Sequence, residues 1–271
     1  MVARRSGSDS GETSTEKRLR EALVEHEREI KALREKIADQ LAVGRNFLFD
    51  AAHAIRSPLT VTHSYLEILH TDLRQGLTDE QLSFLGIAYE NVVKLRRLIE
   101  DLVDLAALET GTAQIDLKST RIEKVIDPVL ADLPSSAKEK GLVLAPEVDD
   151  GLPSATVDED RLRDVLSRLL DNAVRFTPDG GTVRIRMGHD QDHVIVKIED
   201  SGVGVPADRI GDAFQPFVQL HRKSGENREN YGLGLALCRR QIEAFGGTLE
   251  LESSEGQGTT ATIKIPHTGS K

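Results

Sequence analysis

At 271 residues the chain has room for about two domains. With 38% hydrophobic and 30% charged residues it can bury a core while staying soluble, and a net charge of −10 argues against a nucleic-acid binder. Its single cysteine, Cys238, excludes an intramolecular disulfide framework and fits a reducing cytoplasm. No apolar run approaches the ~18 residues that span a bilayer and no leader pattern is visible, so no membrane contact and a cytoplasmic location are expected.

Residues 1–15 are polar and rich in Gly and Ser, the composition of a disordered segment. From 16 to 44 the sequence predicts a coiled coil. Leu19, Leu23, Ile30, Leu33 and Ile37, with His26 and Gln40 in the gaps, alternate spacings of four and three. Glu16–Arg20 and Glu27–Lys31 support it as i,i+4 pairs.

Residues 45–112 read as a helical hairpin. One stripe is Leu48, Ala51, Ile55, Leu59, Thr62, Leu66, Leu69 and Leu73; the other is Leu85, Ala88, Val92, Leu95, Ile99, Leu102 and Ala106. Gln75-Gly76-Leu77-Thr78 forms the turn, Thr78 is placed to cap the second helix with Glu80 nearby, and Gly111 stops it. One hairpin covers only one face of each helix. Two hairpins close a four-helix bundle, so a homodimer is expected.

From 113 to 271 short β-type runs (LVLAPEV, TVRIRM, HVIVKIED, GTLELES, TTATIKIP) alternate with helical ones (IEKVIDPVL, RLRDVLSRLLDNAVRF, GLALCRRQIEAFG). The pattern predicts an α+β sandwich with helices on one face of a mixed sheet. The expected fold class is therefore multidomain: a coiled coil and dimeric helical bundle followed by an α/β sandwich.

Pro58 breaks the first hairpin helix. It has no N–H to donate, and its ring clashes with the carbonyl of Ala54, at a cost of roughly 3 kcal/mol or more. His53 lies two residues from both Ala51 and Ile55, about 200° around the helix from either, so it faces solvent beside the kink. Local rule-breaking of this kind gathers at functional sites, although a kink that merely fits the bundle is the plainer reading.

In the last domain Asn172 sits inside a helix that begins near Asp158. A mid-helix Asn is a poor helix former; its carbonyl suits either a core-edge hydrogen bond or Mg²⁺, which prefers hard oxygen ligands. Arg175 shares its face and can reach a phosphate, and Phe176 can pack on a base. Asp200-Ser201-Gly202-Val203-Gly204 follows a strand directly: the carboxylate can accept from an exocyclic amine, and the glycines let backbone approach a base. Phe214-Gln215-Pro216-Phe217 comes next, then the polar segment LHRKSGENREN. That segment reads as a lid with Arg222, Lys223 or Arg228 near the phosphates. Gly232-Leu233-Gly234-Leu235 opens a helix whose N–H groups suit phosphate.

FDAAHAIRSPLT resembles the phosphoacceptor box of sensor histidine kinases, and the succession Asn172, Asp200, Phe214–Phe217, Gly232–Leu235 resembles the N, G1, F and G2 boxes of the ATP-binding fold that family shares with Hsp90, gyrase B and MutL. The resemblance runs over nearly all of residues 45–267. It implies ATP with Mg²⁺ held at Asn172, autophosphorylation of His53, and transfer to an aspartate on the receiver domain of a separate response regulator. It implies that Asn172, Arg175, Phe176, Asp200, Gly202, Gly204, Phe214, Phe217, Gly232, Leu233, Gly234 and Leu235 hold the nucleotide. Three positions depart from the family pattern. Ala54 replaces the acid after the histidine, leaving Asp50 as the candidate base. Arg168 replaces the earlier N-box Asn and is left either to touch phosphate or to face solvent. Asn230 replaces the first G2 glycine. Ser57 stands where relatives assist dephosphorylation of the regulator; a backbone-bonded serine reads equally well. With Ala54 the alternative is a weak kinase acting as an ATP-binding phosphotransferase or phosphatase scaffold. A plain Hsp90-type ATPase clamp is a third class, disfavoured by the histidine box. Two inputs stay open: an upstream sensor protein docked on the coiled coil, or further parts of a longer protein of which this chain is a piece.

Overall fold

A computed structural model describes residues 55–56, 58–69, 71, 77–132, 135–220 and 231–267. The chain divides into two compact units, Met1–Leu48 and Phe49–Lys271. The coiled-coil segment, Asp50, His53, Ala54, Ser57, Asn230 and the polar segment 221–230 lie outside the described residues.

Residues 58–69 are helical (α1), with Thr62 Oγ1 donating to the Pro58 carbonyl at 3.0 Å. Helix α2 (Asp79–Thr110) starts at a capping box. The Gln81 N–H donates to Thr78 Oγ1 at 3.3 Å, and the Thr78 N–H donates back to Gln81 Oε1 at 2.9 Å. Thr78 thus caps α2 as expected, with Gln81, the third helical residue, reaching back to the cap and Glu80 in the first turn. Gly111, at φ 69°, ends α2.

The hairpin stripes are only partly buried. Leu59 and Ile99 form their common core, with Val92, Leu102 and Val103 against it. Ile55, Leu69 and Leu95 from those stripes stay exposed, as do Val61, Tyr65, Ile68, Phe84 and Ile87 around them. His63 is buried in their place, beside Tyr89 at a ring separation of 5.4 Å.

The remainder is the anticipated sandwich. Strands β2 (Val143–Val148), β4 (Thr182–His189), β5 (His193–Asp200), β6 (Thr248–Ser254) and β7 (Gly258–Pro266) form one sheet in the order β2-β4-β5-β7-β6. β2 pairs with β4 in parallel and every other pairing is antiparallel, so the sheet is mixed. Alternate residues of β4 (Val183, Ile185, Met187) and β5 (Val194, Val196, Ile198) point to one face. There they meet α3 (Ile122–Ala131), α5 (Glu159–Phe176) and α6 (Gly234–Ala244) in a single core. Each such aliphatic side chain contributes about 1.5–3 kcal/mol on burial.

Four short elements were not anticipated: the strands β1 (Lys118–Thr120) and β3 (Ala155–Val157), which pair as a two-stranded antiparallel sheet, helix α4 (Ser135–Glu139) and a 3-10 helix at Ala207–Asp212. Each is too short to display a period.

Candidate functional site

The site gathers at one end of the sheet, where β5, α5 and α6 meet. Asp158 caps α5, accepting from the Arg161 N–H at 3.2 Å. The helix buries Leu162, Val165, Leu166, Leu169, Leu170, Ala173 and Val174, which leaves Asn172 and Arg175 on the partly exposed face. Among the described residues the Asn172 amide makes no hydrogen bond, so the core-edge reading is not realised and its carbonyl is available to a ligand. The Arg175 guanidinium lies 5.6 Å from the centre of the Phe176 ring.

Asp200 ends β5. Its Oδ1 accepts from the N–H groups of Gly202 at 2.8 Å and Thr259 at 3.2 Å, while its Oδ2 has no partner among the described residues. One oxygen is thereby fixed, and the other keeps its lone pairs free of the described residues. Burial raises the carboxyl pKa, against the two backbone hydrogen bonds that lower it. Gly202 is required here by space: a Cβ would lie 2.6 Å from Asp200 Oδ1 and 2.7 Å from the Phe176 carbonyl oxygen. The Val203 N–H donates to that same carbonyl at 3.3 Å, which ties the end of α5 to the glycine turn.

Phe214 packs on the core beneath the Arg239 guanidinium, 4.9 Å from its ring centre. Phe217 differs: it is 60% exposed and holds φ 66°, a conformation unusual for a bulky side chain. Its N–H donates to the Gly232 carbonyl at 2.9 Å, and Gly232, at φ 73°, packs too closely on Val218 to carry a side chain. Helix α6 begins at Gly234 with no side-chain cap at Leu233. Among the described residues no side chain caps its first N–H groups, an arrangement that suits an anion. Leu235 packs on the main core. Leu233 is 2% exposed, sealed with Leu237 against Leu105 of α2. Its side chain belongs to that seam, and any role toward a ligand falls to its backbone.

Arg168 takes neither expected place. Its guanidinium grips Asp101 of α2 with contacts of 2.6 and 3.0 Å and Asp164 at 2.7 Å. Burial acts to lower its pKa, but the hydrogen bonds and charges of Asp101 and Asp164 outweigh this and hold it above the ordinary range. It is not directed at phosphate and it is not a solvated charge. Arg161 pairs with Asp104 at 2.9 Å, Arg240 with Glu109 at 2.8 Å, and Gln241 donates to both Asp104 and Asp164 at 3.3 Å. Sequence reasoning missed this seam, although Arg161 and Arg168 lie seven residues apart on one face of α5 and Asp101 and Asp104 lie three apart on α2. Burial pushes the Cys238 thiol up to about 12, which leaves it chemically inert.

Two family models match the chain. Residues 45–111, which include His53, match the His Kinase A (phospho-acceptor) domain, and residues 157–269 match the histidine kinase-, DNA gyrase B- and HSP90-like ATPase. The chain belongs to the sensor histidine kinase family. It is 31% identical over 252 residues to the adaptive-response sensory kinase SasA of Synechococcus sp. (strain JA-3-3Ab), covering 91% of this chain and 66% of that protein. It is 32% identical over 222 residues to the circadian input-output histidine kinase CikA of Synechococcus elongatus, covering 81% of this chain and 29% of the relative. The crystal structure of full-length ShkA in complex with AMPPNP superposes with a TM-score of 0.69 at 29% identity, covering 83% of this chain and 46% of that one. This family member thus spans less than two thirds of the length of these relatives. No described helix is long and apolar enough to cross a membrane.

Among the described residues no group of three His, Cys, Asp or Glu side chains is placed to hold a metal. Mg²⁺ that arrives with a nucleotide needs only one or two protein oxygens beside phosphate and water. The unpartnered Asn172 carbonyl is the suitable donor.

Proposed function

We propose that this chain is a protein-histidine kinase that transfers the γ-phosphoryl group of ATP to His53 and then to an aspartate on the receiver domain of a separate response regulator. The observation that carries the reading is Asp200: one oxygen is fixed by two backbone N–H groups, and the other has no partner among the described residues, in a domain of the ATPase family. Asp200 Oδ2 accepts the adenine amine, Phe176 and the glycine turn flank the base, and the uncapped start of α6 takes the phosphates. Arg175 and the lid cations Arg222, Lys223 and Arg228 balance further charge. Mg²⁺, held at Asn172, supplies charge neutralisation at the phosphates.

His53 acts as the nucleophile: one ring nitrogen forms the N–P bond while the bond to the ADP oxygen breaks. Its unperturbed pKa near 6.5 leaves a free lone pair at neutral pH. With Ala54 following, Asp50 orients the other nitrogen, and Ser57 assists hydrolysis of the regulator's phosphoaspartate. Domain limits of 45–112 and 113–271, a cytoplasmic location, and a homodimer closed through the exposed hairpin faces complete the proposal.

Labelled ATP and Mg²⁺ test it. An acid-labile, base-stable label that vanishes in His53→Gln is expected; ATP turnover surviving that variant would instead mark a clamp-type ATPase. A second reading, a weak kinase serving as a phosphotransfer or phosphatase scaffold, is favoured by Ala54. It predicts slow labelling that Ala54→Glu accelerates. Unchanged labelling in Asp50→Asn would make Asp50 a bystander.

A further inference from the structure

Helix α5 ends at Phe176, and its last turn carries Arg175 and Phe176, one turn beyond Asn172. The final carbonyls of a helix have no partner within it. Here every one is occupied. Ala173 accepts from the Thr177 N–H at 3.1 Å and from Thr177 Oγ1 at 2.6 Å, and Phe176 accepts from Val203 at 3.3 Å. The others belong to a residue distant in the chain. Lys140 Nζ donates to the carbonyls of Val174 at 2.9 Å, Arg175 at 3.0 Å and Thr177 at 3.0 Å.

A lysine ammonium has three N–H donors, and all three are used. The bonds are charge-assisted, and a cation at a helix C-terminus also meets the favourable end of its dipole. The backbone of Lys140 joins the same knot: its carbonyl accepts from the Gly180 N–H at 2.8 Å, which fixes the turn that follows α5. That turn leads into β4, and the Phe176 carbonyl in turn crowds Gly202 beside Asp200. Lys140 lies between α4 and β2, outside the residues 157–269 that match the ATPase model.

We propose that Lys140 is a positioning residue of the nucleotide site. It clamps the last turn of α5 so that Phe176 and Arg175 stand at a fixed height against the Asp200–Gly204 turn, and it thereby sets the affinity for ATP. This rests on the ATP reading above. Nothing in the role requires Lys140 to touch nucleotide, so its loss acts on binding more than on the chemical step.

The test uses the full chain as Lys140→Met and Lys140→Arg, with KM for ATP, the maximal autophosphorylation rate, calorimetric ATP affinity and Tm measured on each. Lys140→Met is expected to raise KM and Kd about tenfold, the loss of roughly one charge-assisted hydrogen bond, with the maximal rate little changed. Lys140→Arg, which keeps the charge and part of the contact set, is expected to recover much of that loss. A lower Tm with wild-type KM and Kd in the folded protein would make Lys140 a fold staple only and overturn the proposal. Should the Met variant not fold, wild-type Kd in Lys140→Arg and Lys140→Gln overturns it equally. If the wild-type chain binds no ATP, the ATP reading falls and this inference with it; if the wild type binds and the variants match it, only this inference falls.

Discussion

Two helices of similar texture meet opposite fates. α5 buries seven of its 18 residues, all within its own domain. α2 buries three of its 32. One of those three, Ile99, serves the seam with α1, and another, Leu105, serves the seam with Leu233 and Leu237. Large apolar side chains on the rest of the hairpin remain in solvent: Tyr65 is 66% exposed, Phe84 62% and Ile87 55%. The ATP-binding domain is thus complete as one chain, whereas the hairpin carries a face that asks for a partner surface. Burial count, not helix amphipathicity, separates an element that stabilises the chain from one that assembles it.

The sharpest way to break this comparison is in the core of the complete domain. Leu170, fully buried on α5, should cost about 2–5 kcal/mol of unfolding free energy when changed to Ala, measured by urea denaturation. The ionic seam comes next. Asp101→Asn, Arg168→Gln and their double variant should give a coupling energy of roughly 0.5–3 kcal/mol in a double-mutant cycle, since both side chains are nearly buried at 13% and 11% exposure. Additive effects would remove α2 from the account of how the ATP-binding domain is held.

Asp200→Asn separates stability from function. Because burial raises the folded-state pKa of this carboxyl, the folded chain binds the proton more tightly than the unfolded chain does. Its contribution therefore falls as pH rises from the ordinary carboxylate range through the raised value. At neutral pH the Asn variant should match or exceed the wild-type Tm without nucleotide, yet bind ATP about tenfold or more weakly, the loss of a hydrogen bond to a charged group. A lower nucleotide-free Tm would contradict the direction of the shift. Thr78→Ala should remove about 0.5–2 kcal/mol at the start of α2, read by thermal melting. The smallest effect on chain stability belongs to Ile87→Ala, within about 0.5 kcal/mol for an exposed site. If the hairpin face closes a homodimer, that variant still weakens self-association in sedimentation, and unchanged association would move the interface elsewhere.

Periodicity made the five main strands and the helices α3, α5 and α6 legible, because alternation and 3.6-residue stripes are local properties. Asn172, Asp200, Gly202 and Gly232 also stood out, since a poor helix former in mid-helix or a glycine after a strand signals a local demand; their chemistry toward a nucleotide belongs to the proposal. That the Leu233 side chain packs against α2 was not legible: the Gly-Leu-Gly-Leu spelling cannot reveal the cover. Arg168 was left between phosphate and solvent for the same reason.

The sequence alone determined the main strands and helices and which turns carry the glycines and oxygen donors assigned to the nucleotide in the proposal, because backbone preference and hydrophobic period act over a few residues. Only the tertiary structure decided that Arg168 grips Asp101 across 67 positions and that Lys140 closes carbonyls 34 to 37 residues away. With 35 Lys and Arg and 45 Asp and Glu, many ion pairs are chemically equivalent on paper. Packing selects among them by bringing a few charges together where water is excluded.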